Sequence, residues 1–439
     1  MKRVIKISVL LSLLALSTSL TSCFNKPNVD EIKIALDIED DGRYDDLFAL
    51  YKAQTGITVK ATYGQDVGKL IGTKDEPDII KTSTVIIEVM RPSLLDLTSL
   101  INSDANFKLG DYLEPIIDAL TFDNKVYALP TSLNTSLLYY NKAMFDEHAS
   151  AIRSALNLGA NESIYPQATW TYDDFQKAGV AMTNVSGTPP YTFGAETQLN
   201  WWGEWYVYVQ QMGGTFYVPG TNNHQVNLTT PEVIAATTFF RDKAMGPVGV
   251  KFSPNANEMA SANSFTAGNV AMIFGGHLGD WFSYDVLGLD WDIQVLPKPI
   301  ERPTAPGGEL SADAFGISVR SKKAKESFNF LKLWAGKEGA LKMYEHGKIG
   351  ALKEMQAYIA ELPSDKQKHV NIDALFAAIS EAVVLPQEKD FAKIMREFVM
   401  SELYKLMIDG RGAETDVVKV LTKIQNNVNN YYQNLYGAN

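Results

Sequence analysis

Five consecutive apolar residues, Val270, Ala271, Met272, Ile273 and Phe274, lie between Gly268-Asn269 and Gly275-Gly276. A strand without polar alternation has to be covered on both faces, as in a parallel or mixed sheet layered with helices. In such sheets ligands collect outside the strand ends, where glycine lets a backbone come close. Gly275 and Gly276 are therefore candidates for a cleft wall, with Trp281 facing into it. The alternative is a plain buried strand followed by a loop, with Trp281 in the core.

The rest of the chain supplies matching layers. Ile32, Ile34, Leu36 and Ile38 alternate as a strand, Tyr44, Leu47, Phe48 and Tyr51 recur at helical spacing up to Gly56, and 57–61 reads as the next strand. Strand–helix–strand is the seed of an α/β sheet. The acidic loop between them fits the first half of a calcium-binding EF-hand at Asp37, Glu39, Asp41 and Gly42. Phe48 stands where that loop needs a bidentate glutamate, which excludes it. Strands are expected at 77–80, 126–130, 137–141, 291–296 and 314–319, with a polar turn at 131–136. Thr171 with Asp174 forms a capping box, Thr230-Pro231 starts a helix, and Ser321 caps another. The last helix places Val417, Leu421, Ile424, Val428, Tyr431 and Leu435 at regular spacing.

Lys2, Arg3 and Lys6 precede a short apolar run at 9–20, too short for a membrane span and typical of an export signal. The run ends in Leu20-Thr21-Ser22-Cys23, a bacterial lipobox, and Cys23 is the only cysteine in the 439 residues. With 1–22 removed, Cys23 is the lipidated first residue and 23–30 a tether. No thiol is left for a disulfide, metal site or nucleophile. Removal of 1–22 takes away three basic residues, so the formal charge of −11 becomes −14. Such a chain is a poor partner for a phosphate backbone, and no nucleic acid is expected.

Catalytic and metal signatures are weak. The five histidines are scattered, no phosphate-binding glycine loop is present, and no metal or other cofactor is expected. Glu204, Asp280, Glu309 and Asp313 lie beside tryptophans or glycines, where carboxylates suit either hydrolysis or plain binding of a sugar. Trp201, Trp202, Trp205, Tyr206 and Tyr208 crowd one expected helix at 199–212. One face of it belongs to the core and the other serves as core or ligand wall.

Several short motifs occur in a fixed order: Pro77-Asp78-Ile79-Ile80, Leu95-Asp96-Leu97-Thr98, Val126-Tyr127-Ala128-Leu129-Pro130, Leu138-Tyr139-Tyr140-Asn141-Lys142 with Phe145, Thr169-Trp170 with Asp174-Phe175, and Phe265, Gly268, Ala271-Met272 with Gly279 and Trp281. Together they resemble the sugar-type extracellular solute-binding proteins of bacterial ABC importers, the maltose-binding-protein-like group. Asn269 departs from the lysine frequent there. The resemblance implies an α/β, two-lobed, periplasmic-binding-protein-like fold of type II, with each lobe a mixed sheet flanked by helices. Crossing strands are expected at 137–141, 265–271 and 317–321. They divide the chain into lobe one (31–138 and 270–318) and lobe two (139–268 and 320–439). It further implies a monomer without enzymatic activity, anchored through Cys23 at the outer face of the cytoplasmic membrane or the periplasmic side of a membrane. That monomer would take up a carbohydrate and pass it to ABC permease subunits. A secreted glycoside hydrolase, or a binding protein for a non-sugar solute, is the alternative.

The expected ligand site joins aromatic faces to fixed polar groups. Trp281, after Gly275-Gly276, is one stacking platform, and Trp201, Trp202 and Trp205 are a second. Polar contacts are expected from strand ends: Asp41 and Arg43, Thr82 and Ser83, Asn134, and Ser311 and Asp313.

Overall fold

The computed structural model describes residues 30–186, 191–222, 224–260, 263–276, 278 and 281–437, without the side chain of Phe282. The expected signal segment, Cys23 and nearly all of its tether lie outside the described residues, as do His277, Gly279 and Asp280.

β1 (Glu31–Ala35) carries its expected alternation, with Ile32 and Ile34 buried and Lys33 exposed. The helix Asp45–Thr55 ends at Gly56, whose φ of 78° lets its N–H return to the Lys52 carbonyl. β2 (Thr58–Thr62) follows, and β1 pairs in parallel with it and with β3 (Ile79–Ser83). β4 (Thr121–Phe122) and β5 (Lys125–Val126) form a small hairpin. Ser136 alone then separates β6 (Leu129–Thr135) from β7 (Leu137–Asn141). β8 (Met272–Gly276) and β9 (Trp291–Gln294) flank β7, both antiparallel to it. β10 (Glu309–Ile317) runs antiparallel to β3 and β6, and β11 (Val383–Val384) pairs beside it in parallel. The result is a mixed first sheet, β11-β10-β3-β1-β2 with β6 on β10, and a second sheet, β8-β7-β9.

Local chemistry explains the helix starts. Thr171 and Asp174 form the expected capping box on Tyr172–Ala181, and Thr230 accepts from Val233 N ahead of Pro231. Ser321 stands two residues before the N-cap position of the helix Ala324–Ala335, which is Lys323; its hydroxyl accepts from Lys323 N at 3.1 Å and donates to Asp78.

Strand pairing and core packing correct the expected turn and show how the chain is shared between the two sheets. The residues at 131–136 are not a turn, because Thr131 to Thr135 continue β6. Two of their hydroxyls bond to Asp313 on β10, Thr131 to its carbonyl and Ser132 to its carboxylate. β8 and β9 pair with β7, while Ile273, Trp281, Trp291 and Ile293 share the core of the first sheet. The chain passes between sheets at Ser136 and again between Gln294 and Glu309, and at 265–271 it moves from Phe265 in the first core to Ala271 in the second. Phe328 to Ile379 join the core that covers the first sheet, and only from Leu385 onward does the chain enter the second core. Among the described residues the named strands of the second sheet pair only antiparallel, and isolated parallel bridges join Phe193 to Val270 and Thr171 to Lys298.

The apolar run is doubly buried, as its composition demands. Leu137, Tyr139, Ile273, Trp291 and Ile293 point into one core, and Leu138, Tyr140, Met272 and Phe274 into the other. Gly275 and Gly276 are the last two residues of β8. A side chain at Gly276 would meet the Tyr139 ring at 2.5 Å, so that glycine serves packing and not ligand approach. Trp281 is 0% exposed, donates its Nε1 hydrogen to the Tyr139 hydroxyl at 2.5 Å, and packs 5.7 Å from Trp291. It is core and not a stacking platform. Trp281→Ala should therefore destabilise the fold by about 3–5 kcal/mol. A urea unfolding midpoint equal to wild type would contradict this placement.

Candidate functional site

The first wall is made by strand ends. Register places Ser83 on β3 opposite Asp313 on β10, and Asn134 on β6 opposite Ser311 on β10. Ser311 and Asp313 are two apart on one strand and so share a face. The four residues therefore form one polar patch at the edge of the first sheet. Asp313 accepts from Ser132 Oγ at 3.3 Å and lies 3.9 Å from Lys348 Nζ. Thr82, one residue before Ser83, points the other way and is fully buried.

The second wall grows from the other core. The helix Gly203–Gln211 is buried on nearly every side: Trp205 and Tyr208 are both 0% exposed, and Trp205 donates to Thr237 Oγ1 at 2.9 Å. The expected division of this helix into a core face and a ligand face does not occur. The helix begins two residues after Trp201, so Trp201 and Trp202 belong to its entering turn and reach the cavity from there. Their rings lie 4.2 Å apart at 32°.

An ion pair buried within protein holds that turn in place. Lys243 Nζ lies 2.6 Å from Glu204 Oε1, and both side chains are 0% exposed. Glu204 also accepts from the Gln198 backbone N–H at 2.9 Å and the Tyr208 hydroxyl at 3.0 Å. Lys243 donates to the Glu196 carbonyl at 2.9 Å, and the Gln198 side chain to the Phe274 carbonyl of β8 at 2.7 Å. Burial pushes the Lys243 pKa down, while Glu204 holds it up. Both ends of segment 196–204 are thus tied to charged or backbone partners where little water can compete.

A third stretch, 391–407, closes the side. Phe391–Ile394 is α-helical, Met395–Met400 widens into a π-helical turn, and Tyr404–Met407 tightens to a 3-10 turn. Phe391, Ile394, Met395, Val399 and Leu403 fill the second core, while Ala392, Arg396, Met400 and Tyr404, each four apart, line the cavity. Single π-turns inside helices recur at functional sites.

These walls enclose a cavity of about 590 Å³. It brings together Ser83, Asn134, Trp201, Trp202, Ser311 and Asp313 of the expected set. Trp205, Trp281, Thr82, Gly275 and Gly276 are buried elsewhere. Asp41 and Arg43 do not line it: Arg43 Nε donates to Asp41 at 2.8 and 2.9 Å, and the guanidinium lowers the Asp41 pKa. Sequence reasoning missed Leu199, Asn200, Arg396, Ser401 and Tyr404. The available signal was the four-residue spacing of Ala392, Arg396, Met400 and Tyr404, which puts an arginine and a tyrosine on one helical face.

Among known proteins, residues 37–341 match the family profile described as bacterial extracellular solute-binding protein. A binding protein of Brucella abortus is 26% identical over 278 residues, which are 61% of this chain and 61% of that relative. The chain thus matches about three fifths of that relative's length. By fold, the chain is similar to an ABC substrate-binding protein from Listeria monocytogenes in complex with cycloalternan. That likeness has a TM-score of 0.75 and 21% identity, covering 92% of this chain and 99% of that one. It is also similar to a Mycobacterium tuberculosis protein in complex with glycerophosphocholine, with a TM-score of 0.72 and 17% identity over 92% and 98% of the two chains.

The buried pair generates a stability prediction. Glu204→Gln or Lys243→Met alone should cost about 3–5 kcal/mol, because one charge is left buried without its partner. Glu204→Leu combined with Lys243→Met should recover most of that loss. Chemical denaturation of the three variants checks it, and a double variant no more stable than either single one would contradict it.

Proposed function

The chain belongs to the bacterial extracellular solute-binding protein family, and from that premise we propose that it captures a carbohydrate, an oligosaccharide, between its two lobes and delivers it to the permease of an ABC transporter. The observation that carries this reading is the pairing of two indoles with a patch of strand-end hydroxyl, amide and carboxylate groups across one cavity. Aromatic faces cover the CH surfaces of a sugar, and fixed polar groups select its hydroxyl pattern. A volume of about 590 Å³ is in the ordinary range for a ligand-sized site.

Binding without catalysis is the better reading of the carboxylates. Glycoside hydrolysis uses a pair of them. Asp313 is the one carboxylate among the described residues lining the cavity. Glu204 is committed to Lys243, and Glu309 is fully buried against Ser136.

A second reading rests on Arg396. It lines the cavity and makes no salt bridge among the described residues, so it offers a countercharge to an anionic ligand. A glycerophosphodiester, of the kind the Mycobacterium tuberculosis protein holds, would use it.

The lipobox assigns the anchor to Cys23. No helix among the described residues is long and apolar enough to cross a membrane. In this reading the protein is a monomer tethered at the outer face of the cytoplasmic membrane, and stable attachment takes more than one acyl chain.

Thermal unfolding of the protein lacking residues 1–23, against a panel of oligosaccharides and glycerophosphocholine, tests the ligand class. A saturable rise in melting temperature with an oligosaccharide is expected. A rise with glycerophosphocholine alone would replace the carbohydrate reading by the second one. By analogy with base stacking, Trp202→Ala should weaken binding by about 1–3 kcal/mol, roughly tenfold to a hundredfold. For the anchor, Cys23→Ser should release folded protein from membranes, and a folded variant that stays membrane-bound would place the tether elsewhere.

A further inference from the structure

Gly203 opens the helix that follows the tryptophan pair, and it is buried. Its φ is outside the left-handed region, so the backbone makes no demand for glycine there. Alanine at the first position of a helix is ordinarily as good or better. The demand is instead spatial. A Cβ built on Gly203 would lie 2.0 Å from Trp201 Nε1, 2.7 Å from its Cδ1 and 3.0 Å from its Cε2. All three nearest atoms belong to one indole. The missing side chain therefore makes room for the Trp201 ring, whose Nε1 edge comes closest to Gly203.

We infer that Gly203 is a positioning residue that sets the Trp201 indole in the cavity wall, against Trp202, before any ligand arrives. The inference deepens the carbohydrate reading and rests on it for its functional meaning. The turn cannot easily shift to accommodate a methyl group. Glu204, the next residue, is tied to Lys243, Tyr208 and Gln198, and Trp202 is wedged 5.1 Å from Phe391 and 5.9 Å from Tyr206. With its root immobile, the clash falls on the Trp201 side chain, which is only half-buried. Gly203→Ala should then rotate the indole off its seat, separate the two rings and remove one preset face from the cavity. A stacking surface that must be reassembled on binding costs affinity that a preset one does not.

The test is a double-mutant cycle on Trp201 and Gly203, read first without ligand. Two indoles in contact couple their electronic transitions, so the far-ultraviolet circular dichroism difference between wild type and Trp201→Ala defines the signal of the pair. Gly203→Ala should lose that signal while unfolding cooperatively within a few degrees of wild type. In the Trp201→Ala background, Gly203→Ala should change neither spectrum nor melting temperature, because the space is then vacant. If the single Gly203→Ala variant does not fold while the double variant does, the clash with Trp201 is established by that rescue. Retention of the full coupled signal in Gly203→Ala, or an equal loss of stability in both backgrounds, would overturn the inference. Titration with cycloalternan adds the functional arm: Gly203→Ala should bind roughly tenfold more weakly, approaching Trp201→Ala, and the double variant no more weakly than Trp201→Ala. Affinity equal to wild type in Gly203→Ala would overturn the positioning role. A wild-type protein that does not bind cycloalternan would count against that sugar alone, and the spectral outcomes would then decide the inference.

Discussion

The structure depends on β7. Its five residues are all buried, and because side chains alternate along a strand, each step hands the next residue to the other core. Tyr139 belongs to one side and Tyr140 to the other. A slip of one residue would exchange every side chain between the cores, so the register is strongly specified. β8 and β9 inherit the constraint through their pairing with β7, which is why the run from Val270 to Phe274 contains no polar residue. Since only Ser136 separates β6 from β7, the edge of the first sheet and the second core are held beside each other with almost no slack in the chain. The cavity occupies the junction that this short crossing creates.

The two walls of that cavity are built by different physics. On the first sheet, cross-strand register aligns Ser83, Asn134, Ser311 and Asp313, and the ladder of backbone hydrogen bonds holds them. On the other side a loop must present large aromatic rings, and a loop has no ladder. The Lys243–Glu204 pair takes that part, fixing segment 196–204 through backbone N–H and carbonyl groups. A buried ion pair is a poor source of net stability compared with apolar packing. Its use here is better understood as orientation of the segment that carries Trp201 and Trp202.

Local signals in the sequence survived folding intact. The capping box at Thr171, the proline start at Pro231, the left-handed stop at Gly56 and the amphipathic helix Val417–Tyr436 each depend on neighbours within a few residues. Polar residues at strand ends were also legible, and Ser83, Asn134, Ser311 and Asp313 do meet at one cavity. The errors came where a partner far along the chain decides. Residues 131–136 look like a turn until β10 supplies partners for their hydroxyls. Thr82 and Ser83 are equally polar, and only the facing of β3 sends one inward and the other to the cavity. Asp41 and Arg43 satisfy each other instead of turning to the cleft.

What the sequence by itself determined is the class of fold and the family. Periodicity, caps and the doubly apolar strand are short-range consequences of covalent order, and the spaced motifs carry the rest. What only the tertiary structure decided is which tryptophans are wall and which are core. Trp205 and Trp281 are chemically indistinguishable from Trp201 and Trp202, yet the first pair is sealed by Thr237, Tyr139 and Trp291, while Trp201 is half-exposed and Trp202, packed in the second core, still borders the cavity. Exposure of a ring depends on what packs over it, and what packs over it comes from residues up to hundreds of positions away.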